Sequence, residues 1–81
     1  MIFVYIVKCK DGRYYTGITY NIKKRIAEHN SGLTLSIQPS KRPVELVYSE
    51  KHMDRENAAK REKEIKGWSR KKKEILINSL H

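Results

Sequence analysis

The first apolar stretch of the chain, residues 2–7 (IFVYIV), shows no alternation of apolar and polar positions. A strand that is apolar on both faces usually lies in the middle of its sheet. Asp11 and Gly12 then give the Asp-Gly signal of a tight turn, and residues 13–19 (RYYTGIT) return to residues that favour strands. The pattern therefore predicts an antiparallel hairpin whose first strand is central.

The remaining pattern predicts three helices and one further strand. Each helix begins after a residue whose side chain can accept hydrogen bonds from the first turn, and two of the helices end at a glycine. A polar stretch, residues 33–42, separates the first helix from the third strand. The predicted elements are a helix over 22–30 capped by Asn21 and stopped by Gly32, a strand over 44–49, a helix capped by Asp54 that runs to Lys66 and stops at Gly67, and a helix capped by Ser69 that runs to about Ser79, with Ile75, Leu76, Ile77 and Leu80 packing inward.

This order, ββαβαα, predicts an α+β fold in which helices flank a three-stranded antiparallel sheet. The length of 81 residues allows one modest hydrophobic core, so we expect a single domain over residues 1–81. A short edge strand of such a sheet can pair with a second copy, which leaves a monomer and a weak dimer both open.

Composition narrows the kind of partner. Lysine and arginine number 18 against 9 acidic residues, a formal net charge of +9. This surplus favours a polyanion through counterion release, with nucleic acid ahead of an anionic membrane. Cys9 is the only cysteine and the apolar start ends at Lys8, too early for a signal peptide or a membrane span. We therefore expect a cytoplasmic protein that binds nucleic acid and no membrane.

The first predicted helix has polar side chains on its apolar side. Ile22 and Ile26 are four residues apart and define the buried stripe, and Arg25 and His29 fall on the same side of the helix. Glu28 has a freer direction to water. Two interpretations stay open. Either Arg25 is a boundary arginine with a solvated head and His29 is a histidine hydrogen-bonded near the helix end, or both residues belong to a functional site.

Glu62 raises a similar question on the second helix. It shares the stripe that Ala58, Ala59 and Ile65 define as the inner face. An inward carboxylate is unfavourable unless it is paired, protonated or bound to a cation. Two interpretations stay open: an ion pair with a neighbouring side chain, or an oxygen ligand for a hard divalent ion such as Mg²⁺.

The glycine inside the second strand indicates a close approach. Tyr15 and Gly17 point to the same face of that strand, and bare backbone in a strand usually means that a ligand or another segment comes near. Tyr5 lies on the partner strand. We expect Tyr5, Tyr15, Arg25 and His29 to face one shallow pocket with Gly17 as its floor, unless the tyrosines are ordinary packing residues.

Together these residues resemble the GIY-YIG endonuclease superfamily, in particular its small stand-alone bacterial members. The tyrosine that ends the first family triplet matches Tyr5, and the second triplet matches residues 15–17 (YTG). The family arginine and the histidine that follows it match Arg25 and His29, and the family glutamate matches Glu62. The resemblance covers essentially the whole chain and implies the ββαβαα fold predicted above.

The chain departs from the family pattern at several positions. Phe3, Val4 and Thr16 replace triplet residues that pack within strands, and Ile18 stands where some family nucleases have a lysine. The asparagine that many members carry after the glutamate has no clear counterpart, with Asn78 as a loose candidate.

The resemblance implies metal-assisted hydrolysis of phosphodiester bonds. Glu62 would hold one Mg²⁺ or Mn²⁺ ion, which acts as a Lewis acid on the phosphate. Arg25 would offset charge on the phosphorus centre. Tyr5 is the favoured base for the attacking water, with Tyr15 as its support, and His29 would relay a proton or contact phosphate.

The expected substrate is DNA before RNA, selected by single-stranded or branched shape or by a protein partner, as in repair or recombination. Basic residues and the strand glycine are assigned to nucleic-acid contacts. These positions are Arg13, Gly17, Lys24, Arg61, Lys66, Arg70, Lys71 and Lys72.

Two other classes of protein fit parts of the pattern. A non-catalytic nucleic-acid-binding module on a degenerate nuclease fold is favoured by the missing asparagine and by the RKKK run at residues 70–73. A structural or protein-interaction domain would instead scatter the five candidate catalytic side chains.

Overall fold

A computed structural model describes residues 1–33 and 37–79. Its three strands are β1 (Ile2–Lys8), β2 (Tyr14–Thr19) and β3 (Glu45–His52), in the antiparallel order β2-β1-β3. The apolar strand β1 is central, as its sequence predicts. The third strand continues three residues beyond its predicted end, because its polar end still pairs with the start of β1.

Three helices complete the α+β fold: α1 (Ile22–Ser31), α2 (Arg55–Lys66) and α3 (Arg70–Asn78), with a short 3₁₀ turn at Pro39–Lys41 between α1 and β3. The predicted order ββαβαα is confirmed. Each helix has its predicted N-cap, since the side chains of Asn21, Asp54 and Ser69 accept hydrogen bonds from the first turns. Leu76 and Ile77 of α3 pack against the core as predicted, but the prediction that Ile75 packs inward is wrong, because it lies about 100° round the helix from Leu76 and is 62% exposed. The expected packing of Leu80 lies outside the described residues, as do residues 34–36 of the predicted loop.

Helices cover both faces of the sheet, which explains why β1 has no polar face. Two hydrophobic clusters form the core, one on each face of the sheet. The first cluster packs against α2 and α3, and the second packs against α1. The first consists of Ile2, Val4, Ile6, Tyr48, Ala58 and Ile65, and the second of Tyr5, Val7, Cys9, Ile37 and Val44. None of the helices in ranges 1–33 and 37–79 is long and apolar enough to cross a bilayer.

Helix α2 rests on the sheet along a narrow stripe. Ala58 and Ile65 are both completely buried. The prediction that Ala59 also faces inward is wrong, because Ala59 is exposed. Ala59 is one residue, or about 100°, further round the helix from Ala58, and this rotation carries it away from the sheet.

The two flanks of α2 reach opposite edges of the sheet. On one flank, the Arg61 guanidinium lies 3.1 Å from the Glu50 carboxylate of β3. On the other flank, the Lys66 ammonium lies 6.0 Å from the centre of the Tyr15 ring of β2. Glu62 is on this second flank, one helical turn before Lys66. The fold therefore presents Glu62 to the edge of the sheet that carries the tyrosines.

A side-chain clamp joins the end of α1 to the residue before β3. The Val44 amide donates to the Asn30 Oδ1 atom at 2.7 Å, and the Asn30 amide group donates to the Val44 carbonyl at 3.3 Å. Val44 is almost fully buried, so its backbone groups have little access to water. This role of Asn30 was not predictable from local sequence, since it depends on a partner fourteen residues away.

We predict that Asn30→Ala lowers the free energy of unfolding by about 2 kcal/mol, because it leaves buried backbone groups of Val44 unpaired. Urea denaturation measures the loss, and the slope of the free energy of unfolding against urea concentration should stay unchanged. Asn57→Ala is the matched control: its amide bonds only an exposed aspartate, and we expect a change within about 0.5 kcal/mol. Equal losses in the two variants would contradict the clamp.

Candidate active site

The close approach at Gly17 is made by a side chain of the neighbouring strand. Tyr5 and Gly17 are direct partners in the β1–β2 ladder. A Cβ atom on Gly17 would lie 2.6 Å from the Tyr5 hydroxyl and 2.8 Å from the Tyr5 Cζ atom. The phenol of Tyr5 therefore fills the position expected to be an open pocket floor, and only glycine leaves room for it.

Tyr5 is fixed from α1 by a hydrogen bond. Its hydroxyl lies 2.8 Å from the Nε2 atom of His29, and both residues are buried. The Tyr15 ring stands nearly perpendicular to the His29 ring at 5.3 Å and lies 6.4 Å from the Tyr5 ring. Tyr5, Tyr15 and His29 thus form one ring cluster that joins β1, β2 and α1. His29 Nδ1 is buried and has no hydrogen-bond partner within the described residues.

Burial keeps two members of the ring cluster uncharged. Desolvation, reinforced by Tyr15, raises the pKa of the Tyr5 phenol; Arg25 opposes this rise, and Glu62 adds to it. Desolvation and the charge of Arg25 lower the pKa of His29. Both charges lie near the ring cluster, since Arg25 precedes His29 by one turn of α1 and Glu62 is paired with Lys66 beside the Tyr15 ring.

Glu62 is partly buried and already paired. The Lys66 ammonium lies 3.4 Å from the Glu62 Oε2 atom, and the same ammonium faces the Tyr15 ring. Lys66 therefore links Glu62 to the ring cluster. Within ranges 1–33 and 37–79, no group of three or more histidine, cysteine or acidic side chains could hold a metal ion.

Arg25 lies at the boundary between the ring cluster and solvent. Its side chain is 38% exposed, and its Nη1 atom lies 3.6 Å from the Glu28 carboxylate. The expectation that Glu28 points freely to water is wrong, because its side chain is only 29% exposed and is paired with Arg25. The guanidinium of Arg25 is thus oriented by Glu28 while its end stays accessible.

Two of the predicted nucleic-acid contacts are engaged within the fold. Arg61 pairs with Glu50 and Glu64 on the flank of α2 opposite to Glu62. Arg70 donates to the Gly12 carbonyl at 2.7 Å and lies over the Tyr14 ring at 4.6 Å. These contacts join α2 to β3 and α3 to the hairpin turn.

The other predicted contacts have mixed environments. Arg13 is well exposed beside Asp11, and Lys24, Lys71 and Lys72 are exposed. The Lys72 ammonium lies 4.4 Å from the centre of the Trp68 ring. Gly17 lies beneath the ring of Tyr5 and is buried. Lys66 is the predicted basic contact that lies beside both Glu62 and the Tyr15 ring.

Strand β3 carries a polar network that was not predicted from the sequence. Glu50 accepts a hydrogen bond from Tyr48 at 2.5 Å and lies 2.5 Å from His52. Burial alone would raise the pKa of Glu50, but the bonds from Tyr48, His52 and Arg61 lower it. Burial and Glu50 raise the pKa of Tyr48 to about 12. The period of two in β3 places residues 48, 50 and 52 on one face and was the available signal.

Comparison with known proteins gives the family. The sequence profile of the GIY-YIG catalytic domain matches residues 1–75. The chain therefore belongs to the GIY-YIG family, a nuclease superfamily whose members generally depend on a divalent metal ion, and the resemblance stated above is confirmed.

The most informative relatives are small bacterial proteins of the group UPF0213. A UPF0213 protein of Staphylococcus saprophyticus is 50% identical over 76 residues, which cover 94% of this chain and 93% of that protein. The solution NMR structure of a UPF0213 protein from Bacillus halodurans matches with a TM-score of 0.61 at 40% identity, over 95% of this chain and 83% of the other. The solution NMR structure of the E. faecalis protein EF2693 matches with a TM-score of 0.65 at 36% identity, over 98% and 84%.

We predict that burial of His29 lowers the free energy of unfolding at acidic pH. Its pKa is lowered in the folded protein, so below the ordinary value of 6.5 the unfolded chain binds a proton that the folded chain does not. The free energy of unfolding should fall with decreasing pH by up to about 1.4 kcal/mol per pH unit from this group. Urea denaturation at about pH 7.5 and about pH 5.5 measures the fall, which should be smaller in His29→Gln. An equal fall in both proteins would contradict a neutral buried His29.

Proposed function

We propose that this protein is a metal-dependent endonuclease that hydrolyses phosphodiester bonds in DNA, with single-stranded or branched DNA of the kind formed in repair or recombination as its substrate. The observation that carries the proposal is the link made by Lys66, which contacts Glu62 and faces Tyr15. It joins the one candidate metal ligand to the ring cluster, although these residues are far apart in the sequence. The formal charge of +9 supports a polyanionic substrate.

The environments of the two tyrosines favour an exchange of their expected roles. Tyr5 is buried, bonded to His29 and has a raised pKa, so it is a weak candidate for the base. Tyr15 is only partly buried, so it can meet water, and the Lys66 ammonium lies over its ring. We therefore assign the attacking water to Tyr15 and the positioning of Tyr15 to Tyr5 and His29.

In the proposed reaction, the oxygen of a water molecule attacks phosphorus while the bond to the 3′ oxygen breaks. The Tyr15 phenolate accepts the proton of the water. Arg25, with its accessible guanidinium, donates hydrogen bonds to the phosphate oxygens as negative charge builds up on them. The departing 3′ oxygen takes a proton from solvent water and Tyr15 releases its proton to solvent, so the products are a 5′ phosphate and a 3′ hydroxyl.

Glu62 is suited to hold Mg²⁺ or Mn²⁺. Mg²⁺ is commonly bound by one or two carboxylates, several waters and the phosphates of the substrate, so one carboxylate is sufficient. The bound ion would supply Lewis-acid stabilisation of the phosphate charge and the leaving oxygen. Lys66 has to leave the Glu62 carboxylate in this case, and its half-exposed side chain has room to turn towards the substrate.

Two observations favour a second candidate function, a non-catalytic nucleic-acid-binding module. Glu62 is neutralised by Lys66, and Asn78, the loose counterpart of the family asparagine, is exposed near the end of α3. Such a module would bind DNA with a steep salt dependence and show no turnover when a divalent metal is added.

We predict that Glu62→Ala reduces Mg²⁺-dependent nicking of single-stranded and branched DNA by at least about a hundredfold, since several kcal/mol of charge stabilisation depend on the bound ion. Glu56→Ala is the matched control, because Glu56 is an exposed carboxylate on the same helix. It should keep wild-type activity. Undiminished cleavage by Glu62→Ala would refute the assigned role.

A further inference from the structure

A cleft of about 350 Å³ opens beside Arg25, between the end of β2 and the beginnings of α1 and α2. Its volume is at the lower end of the range of about 300–1,000 Å³ that is typical of ligand sites. Arg25 belongs both to this cleft and to the boundary of the ring cluster, so the cleft adjoins the candidate active site. The residues that carry the argument are Thr19, Tyr20, Asn21, Lys24 and Arg55.

The cleft is positively charged. Its walls carry Lys24, Arg25 and Arg55 against the single carboxylate of Glu28, which is paired with Arg25. Within the described residues, neither Lys24 nor Arg55 forms an ion pair. Helix α1 also begins at the cleft and has no acidic residue in its first turn, so its dipole adds to the positive potential. These charges are complementary to phosphate groups.

An exposed aromatic ring stands at the edge of the cleft on a fixed turn. Tyr20 is 64% exposed. The residues on either side of it are locked together, because the Asn21 amide donates to the Thr19 hydroxyl at 3.1 Å and that hydroxyl donates to the Asn21 carbonyl at 3.2 Å. Asn21 also caps α1. The turn therefore presents Tyr20 to solvent from an ordered backbone.

We propose that this cleft binds an unpaired nucleotide of single-stranded DNA next to the scissile phosphate. Tyr20 stacks on the base, and Lys24 and Arg55 bind the adjoining phosphates. Aromatic stacking of this kind needs a base whose face is free, which a base inside a duplex does not offer. The inference rests on the proposed function for the position of the scissile phosphate and adds the part of the protein that selects single strands.

The first test measures binding to a labelled single-stranded oligonucleotide and to its duplex by fluorescence anisotropy, in EDTA so that no cleavage occurs. We expect Tyr20→Ala to weaken single-strand binding about fivefold or more, Tyr20→Phe to bind like wild type, and duplex binding to change little. Unchanged single-strand binding by Tyr20→Ala would contradict the proposal. So would tighter binding of the duplex, or of single-stranded RNA, than of single-stranded DNA.

The second test examines the two free cations through the salt dependence of binding. Loss of two phosphate contacts in Lys24→Ala/Arg55→Ala should reduce the slope of log K against log salt by about 1.4, roughly 0.7 for each contact with a single strand. Lys10→Ala/Lys23→Ala removes the same charge from exposed positions outside the cleft. This control should reduce the slope by less than Lys24→Ala/Arg55→Ala does. Equal slopes in the two double variants would overturn the assignment.

These tests separate the cleft from the catalytic proposal. Glu62→Ala should not weaken binding of the oligonucleotide in EDTA, because the metal ion takes no part in that measurement and the variant frees the Lys66 ammonium for phosphate. A Tyr20 effect on binding without metal-dependent cleavage in the wild type would support the cleft and contradict the nuclease. Cleavage that depends on Glu62, together with single-strand binding that is unchanged in Tyr20→Ala, would support the nuclease and contradict the cleft.

Discussion

A buried hydrogen bond between Tyr5 and His29 sets the geometry of the candidate active site. It joins the central strand to α1, and it forms because Gly17 leaves bare backbone under the Tyr5 ring. Two polar groups in the core are unfavourable unless they are paired, so the bond constrains both rings. Tyr15, packed across His29, takes its position from the same pair. The glycine of the second family triplet is thus explained by the tyrosine of the first.

Helix α2 brings the carboxylate to these rings through its own packing. Its buried stripe rests on the sheet, one flank is joined to β3 by Arg61 and Glu50, and the other carries Glu62 and Lys66 to the tyrosines. The ion pairs on the β3 flank therefore help to orient a site on the opposite flank. Lys66 links the Glu62 carboxylate to the Tyr15 ring, and in the proposed reaction it would turn to the substrate when Glu62 holds the metal ion.

Local sequence patterns predicted most of the fold and part of the site. Apolar residues on both faces of β1 predicted its central position, and capping residues predicted where the helices begin. Local patterns did not predict three contacts between side chains or elements. These are the approach of Tyr5 to Gly17, the pairing of Arg25 with Glu28, and the ion pairs of Arg61. Periodicity reports which side of an element a residue occupies, but which side chain it meets there depends on packing between elements.

The most direct test of this account is nitrogen NMR of the His29 imidazole in the wild type and in Gly17→Ala. A methyl group at position 17 would displace the Tyr5 ring, so the account predicts that the variant loses the hydrogen-bonded Nε2 signal and that the pKa of its His29 moves back towards the ordinary value. Gly67→Ala, where an added Cβ has space, should leave the His29 signals unchanged. His29 signals in Gly17→Ala that coincide with those of the wild type would contradict the account.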